Sequence, residues 1–254
     1  MCGRFSLTAS SDAISAFFET TEMERYEIRY NIAPTQPILM IRAMDGAVQR
    51  PGSNLPARET VLVRWGLLPS WVKEPKGFAL LINARAETAP DKASFKAAMR
   101  HRRTLVPASG FYEWRREGRA RPQAYWVRPR DGGIVAFGGL METWSAADGS
   151  EIDTGAVLTT RANAAISHIH HRMPVIIRPP DFARWLDCRT QEPRDVQDLT
   201  EPVDEAFFEA VPVSDKVNKV ANVGPELQER VEIGEEPDSA SPKPSTDDAQ
   251  MSLF

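Results

Sequence analysis

Cys2 has the widest chemistry open to it. Trimming of Met1 from this small second residue would make Cys2 the N-terminus, with a free α-amine and a thiol on adjacent carbons. No internal cysteine carries that pair of groups. The amine titrates near ~7.7–8.0 and the thiol near ~8.5, so both supply nucleophile close to neutral pH. Such an amine condenses with an aldehyde to an imine, and the thiol can then close on the imine carbon as a five-membered thiazolidine. The same terminus can act as a thiol nucleophile in amide chemistry. The structural alternative is a small residue leading into a first strand.

A trap for the aldehyde of a deoxyribose that has lost its base needs helpers, because that sugar is mostly a closed ring. Something must move protons to open the ring and form the imine. Glu113, a lone carboxylate among the aromatics of Gly110-Phe111-Tyr112-Glu113-Trp114, suits a raised pKa and proton exchange. His170 suits the acid that opens the sugar. Asn83 is a neutral donor and acceptor that can hold a reactant in place. Arg4, Arg85 and Arg172 are phosphate candidates, and Trp71, near Leu67 and Leu68, is a stacking or wedge candidate. Each also has a structural reading: Glu113 as a satisfied carboxylate, His170 as a loop hydrogen-bonder, Asn83 and Arg85 as a strand end, and Trp71 as core.

The elements that would position these residues are mostly short strands. Residues 2–7, 37–43, 61–67, 124–128, 134–140, 156–160 and 207–213 read as strands, and Gly138-Gly139 marks a bulge or a close approach. Ser11 or Asp12 caps a first helix, residues 92–102 form a second, and Pro180 starts a third. Residues 29–35 read as a loop bracketed by Pro34 and Pro37, and residues 217–227 as a closing loop. Many strands with few helices predict an α+β fold, a single domain with a curved, mostly antiparallel sheet or barrel-like core.

The totals narrow the classes. With 254 residues, 42% of them hydrophobic, the chain can build a sizeable core. It has no apolar run long enough to span a membrane and no signal-peptide pattern at its start. Two cysteines make no disulfide framework, and no metal-ligand spacing is present, so neither a metal nor another cofactor is expected. The net charge of −4 divides into −6 over residues 226–254 and +2 before them, with a local +10 between Arg64 and Arg130. A basic middle of this kind fits a nucleic-acid-facing surface, or simply a solvated one.

Six motifs appear in order: Cys2-Gly3-Arg4-Phe5, Tyr30-Asn31-Ile32-Ala33-Pro34, Arg64-Trp65-Gly66-Leu67-Leu68-Pro69, Asn83-Ala84-Arg85-Ala86-Glu87, Gly110-Phe111-Tyr112-Glu113-Trp114 and Ile169-His170-His171-Arg172-Met173-Pro174. Together they resemble the SRAP family, the SOS-response-associated peptidases or abasic-site processing proteins, over roughly residues 2–228. The resemblance implies a thiazolidine crosslink between the N-terminal Cys and abasic sites in single-stranded DNA, shielding the lesion, after removal of the initiator Met. It implies Cys2 as nucleophile, Asn83 positioning it, Glu113 handling protons, and His170 opening the sugar and helping to reverse the link. It also implies Arg4, Pro34 and Arg85 on the DNA path, with Trp71 as a wedge. His171 stands where the family usually has Asp, and Thr104 where it often has Cys.

From about residue 233 onward the composition turns to Glu, Pro, Ser and Asp, and a disordered tail is expected over 233–254 after a domain at 2–232. Its end, Gln250-Met251-Ser252-Leu253-Phe254, resembles the bacterial sliding-clamp-binding peptide, with Gln250, Met251, Leu253 and Phe254 as the contacts. The chain is expected to act as a monomer in the cytoplasm, at the nucleoid. Two further readings remain: a thiol peptidase using Cys2, His170 and Asn83, and a non-covalent, clamp-tethered single-strand binder.

Overall fold

Apolar runs too short for helices, broken by Pro and Gly, dictate a strand-built molecule. The computed structural model describes residues 2–20, 25–44, 58–116 and 122–233. Its strands are β1 (Phe5–Leu7), β2 (Arg29–Ile32), β3 (Pro37–Ala43), β4 (Arg58–Trp65), β5 (Asn83–Arg85), β6 (Arg103–Ala108), β7 (Gly110–Arg115), β8 (Gln123–Pro129), β9 (Val135–Ser145), β10 (Glu151–Arg161), β11 (Arg172–Pro174), β12 (Ile176–Ile177) and β13 (Phe208–Val213). The helices α1 (Ser11–Phe18), α2 (Lys96–His101), α3 (Ala164–Ser167) and α4 (Phe182–Leu186) are short.

One antiparallel sheet runs β13-β8-β7-β1-β2. The second runs β11-β10-β4-β3-β6-β9-β12, with β5 also on β10. Because β10 pairs with β9 as well, β10, β4, β3, β6 and β9 close into a ring. The pairings of β10 with β4 and β5 are parallel. This is the expected α+β, barrel-like, mostly antiparallel core.

The ring is narrow. Ile38, Leu39, Met40 and Ile41 are all buried, as expected of a strand covered on both faces. A Cβ on Gly155 would lie 2.3 Å from Met40 Cε, and one on Gly139 would lie 2.6 Å from Thr104 Oγ1. Gly139 therefore marks a close approach. Thr104 sits inside the ring, its hydroxyl 3.4 Å from Met40 Sδ, in a structural place.

Edge-on aromatic contacts join the two sheets. Phe5 meets Trp65 at 5.1 Å and Phe137 at 6.1 Å, and Phe111 meets Phe137 at 6.1 Å, while Phe111 and Phe208, 5.6 Å apart, pair within the first sheet. Each such pair adds about 0.5–1.5 kcal/mol beyond burial. The result is that β1, and with it the segment just before Phe5, is held rigidly.

Several boundaries differ from those the sequence suggests. Residues 29–32 pair as β2 with β1, and only the following turn is loop, where Thr35 takes φ 72°. Polar Arg29 and Asn31 mask the strand because their side chains serve internal hydrogen bonds. Ser10, not Ser11 or Asp12, caps α1, accepting from Ala13 N at 3.2 Å. The second helix is regular only over Lys96–His101. β4 covers Arg58–Trp65, and the β9–β10 hairpin is longer than its apolar middle indicates. The closing stretch holds two 3₁₀ turns, Asp215–Asn218 and Pro225–Gln228. The expected clamp peptide and nearly all of the tail lie outside the described residues. No described helix is long and apolar enough to cross a membrane.

Candidate active site around Cys2

β1 and β7 run antiparallel, with Phe5 opposite Phe111 and Ser6 opposite Gly110. Continuing that register puts Gly3 opposite Glu113, and Tyr112 N donates to Arg4 O at 2.8 Å. Alternation along β7 then decides the faces: Phe111 joins the core between the sheets, and Glu113 points the same way. Cys2 thus begins where Glu113 is buried.

Asn83 arrives from the other sheet. β5 lies beside β10 with Asn83 opposite Val157 and Arg85 opposite Thr159. Asn83 Nδ2 donates to Cys2 O at 2.7 Å. Its Oδ1 is buried and has no hydrogen-bond partner among the described residues. Arg85, two residues on, shares the face of Asn83 and is exposed.

The electrostatics are set by burial. Cys2 is fully buried, and burial, reinforced by the charge of Glu113, pushes its thiol far above the usual range. Burial likewise pushes Glu113 up to about 7, against the charge of Arg116 among others. His170 Nδ1 stands 3.8 Å from Glu113 Oε1. Burial lowers the pKa of His170, so at neutral pH the contact joins a neutral imidazole to a carboxyl near its titration point, not two fixed charges.

The main chain of Arg172 holds the imidazole in either protonation state. Its N–H lies 3.0 Å from His170 Nδ1 and its carbonyl 3.1 Å from the same atom. The neutral ring accepts from the N–H, and the charged ring donates to the carbonyl. Arg172 in turn is anchored by its side chain, which donates to both carboxylate oxygens of Glu87 at 2.7 and 2.8 Å and to Thr159 O at 2.5 Å. That bidentate pair holds Glu87 below the usual carboxylate range.

Cys2, Asn83, Glu113 and His170 therefore converge. The other expected residues surround them differently. Arg172 turns its guanidinium into the protein. Arg4 is half-buried, its Nη1 donating to Asn31 Oδ1 at 2.8 Å and to Val217 O at 2.7 Å. Pro34 is partly covered in the turn after β2. Trp71 is 57% exposed, edge-on to Phe78 at 5.9 Å, which removes the reading of Trp71 as core. The basic middle of the chain is less of a surface than its charge suggests. Arg103 is buried, donating to the carbonyls of Met99, Trp185, Asp187 and Gln191. Arg100, Arg102 and Arg128 are paired with Glu192, Glu142 and Glu209.

Three residues gain a place that the sequence did not assign them. Glu87 fixes Arg172, Asn31 fixes Arg4, and Arg116 puts a positive charge close enough to act on both Glu113 and His170. Glu87 and Asn31 lie within the motifs above, which was the available signal. Among the described residues no group of three or more His, Cys, Asp or Glu is placed to hold a metal ion.

The chain is similar to known proteins in sequence and in fold. The sequence model of the SOS response associated peptidase (SRAP) family matches residues 1–220. The abasic site processing protein YoqW of Bacillus subtilis (strain 168) is 36% identical over 232 residues, covering 90% of this chain and 99% of that relative. The abasic site processing protein HMCES of Gallus gallus is 30% identical over 237 residues, covering 83% of this chain and 68% of the relative. A crystal structure of a Bacteroides thetaiotaomicron protein matches the fold with a TM-score of 0.77 at 23% identity, covering 91% of this chain and 100% of that one.

Proposed function

This chain belongs to the SOS response associated peptidase family, and from that premise we propose that it captures abasic sites in single-stranded DNA as a covalent thiazolidine on Cys2. Removal of Met1 comes first, since it gives an aldehyde access to the nitrogen of Cys2. The Glu113–His170 pair passes a proton from the C1′ hydroxyl of the closed sugar to its ring oxygen, which opens the ring. The Cys2 amine attacks the C1′ aldehyde, and the carbinolamine loses one water to leave an imine. Cys2 Sγ then adds to the imine carbon, and its proton travels through Glu113 to the nitrogen. One aldehyde and one aminothiol are joined with release of one water, and nothing is oxidised or reduced.

The observation that carries this reading is the Glu113 carboxyl, buried beside Cys2 and 3.8 Å from His170 Nδ1, where burial raises its pKa to about 7. A group titrating near the working pH both gives and takes protons, as a sequence of addition, dehydration and addition requires. The raised thiol pKa favours the same route over a thiol peptidase, which needs a ready thiolate. Here the amine attacks first and the thiol can enter as S–H. The buried, unpartnered Oδ1 of Asn83 is suited to accept from the amine that processing creates.

In this reading residues 2–232 carry the chemistry. Arg85 and Arg4 meet phosphates, Pro34 lines the strand, Trp71 stacks on a base, and Arg172 acts through His170. The tail at 233–254 tethers the protein to a sliding clamp through Gln250, Met251, Leu253 and Phe254. The protein works as a monomer at the nucleoid, and the covalent link shields the lesion. The test is a denaturing gel with single-stranded DNA bearing one abasic site. The chain processed at Met1 should shift the DNA, whereas Cys2→Ala and a form retaining Met1 should not. A shift that survives Cys2→Ala would reject the proposal.

A further inference from the structure

Asn31 uses a buried amide to hold a loop. It is 3% exposed, and its Nδ2 lies within hydrogen-bond reach of the carbonyls of Val217, Lys219 and Asn222 at 3.3, 3.1 and 2.9 Å. Arg4 Nη1 bridges Asn31 Oδ1 and Val217 O. Trp114 Nε1 holds the same segment from another side, donating to Asn218 Oδ1 at 2.8 Å. Within the loop, Asn222 Nδ2 donates to Lys216 O at 2.7 Å. Most of these bonds grip backbone, so they fix the path of the loop while asking little of its side chains.

Most of those side chains face water. Val217 is buried, but Val220 is 40% and Val223 66% exposed, and Lys216 and Lys219 are exposed beside them. Neither lysine is in an ion pair among the described residues. A single exposed valine needs no explanation, but two of them, with two uncommitted cations, on a loop anchored by a buried polar network form a preorganised surface. Folding stability does not require their exposure.

We infer that residues 216–223 are a docking element for the single DNA strand flanking the lesion, with Val220 and Val223 against bases or sugars and Lys216 and Lys219 on phosphates. The inference rests on the crosslinking reading of Cys2. The loop is tied at Val217 O to the Arg4 side chain, two residues from Cys2, and its anchor Asn31 lies three residues before Pro34, so it continues the path proposed for the strand. Along the chain, Val217 O lies on the order of 15 Å or less from Cys2, a few nucleotides away. A polyanion with apolar faces at every step matches lysines interleaved with valines.

The test uses the full chain processed at Met1. Val220→Ser with Val223→Ser should weaken binding of a labelled undamaged single strand by about threefold to tenfold, read by anisotropy. Crosslinking to an abasic strand should slow equally at low DNA and recover the wild-type rate at saturating DNA, because Cys2 is untouched. Lys219→Ala should reduce the slope of log affinity against log salt by about 0.7. Wild-type affinity and salt slope in these surface variants would overturn the inference. Failure of the unaltered protein to crosslink would instead reject the reading of Cys2, and the undamaged-strand affinities would still judge the loop.

Discussion

Glu113→Gln should make the protein more stable and nearly inactive. An ordinary value of 4.5 raised to about 7 corresponds to about 3 kcal/mol by which ionisation of the buried carboxylate opposes folding. The sign follows from the two states. Below pH 4 the carboxyl is protonated whether the chain is folded or not, and titration costs nothing. Between pH 4.5 and 7 the unfolded chain ionises while the folded one resists, so stability falls as pH rises. Above 7 the full cost is present. Glutamine does not titrate, so the variant should gain on the wild type by about 2–3 kcal/mol at pH 8, and the two should differ little from titration near pH 4. For a domain of this size that is a rise of about 5–10 °C in Tm at pH 8. Thermal unfolding across pH, on the chain retaining Met1, measures it. In parallel, crosslinking by the processed variant should slow by about 10²–10⁴-fold, the usual contribution of a positioned acid–base group. A Tm difference that does not change with pH would mean that Glu113 titrates normally. Near-wild-type crosslinking would remove it from the mechanism.

Glu87→Gln breaks the charge pair with Arg172. Because the folded pKa of Glu87 is lowered, its contribution is present above 4.5 and is lost as pH falls; the variant should melt a few degrees lower at pH 7, with the gap closing in acid, and should crosslink more slowly as His170 loses its anchor. Trp65→Ala, at a fully buried ring, should cost about 3–5 kcal/mol in chemical denaturation. Trp71→Ala should cost under ~0.5 kcal/mol while weakening single-strand binding by about 1–3 kcal/mol in anisotropy, and the opposite ranking would return Trp71 to the core. Deleting residues 250–254 should leave the crosslinking rate unchanged and abolish retention on an immobilised bacterial clamp; equal retention would dismiss the tail as a tether.

The site was more legible in the sequence than the sheets that build it. Cys2, Asn83, Glu113 and His170 each belong to a recognisable motif, and their convergence followed once β1 met β7 and β5 met β10. Strand β3 announced itself through an unbroken apolar run, whereas β2 hid behind Arg29 and Asn31, whose polarity serves internal hydrogen bonds. Trp71 and Arg103 each defy their residue type: the indole is more than half exposed, and the guanidinium is enclosed by carbonyls. The Glu87–Arg172 pair spans 85 residues and depends on β5 and β11 both lying against β10, a register that no local pattern encodes. Residues 217–227 read only as a closing loop, because what anchors them is a set of backbone carbonyls gripped by Asn31, which no side-chain pattern announces.

The most direct measurement is mass spectrometry of the N-terminal tryptic peptide after reaction with an abasic single strand and nuclease trimming. The account predicts Cys2-Gly3-Arg4, free of Met1, carrying the sugar remnant with loss of one water, stable without borohydride reduction. An unmodified Cys2-Gly3-Arg4 alongside DNA captured on a lysine, or an adduct seen only after reduction, would contradict it.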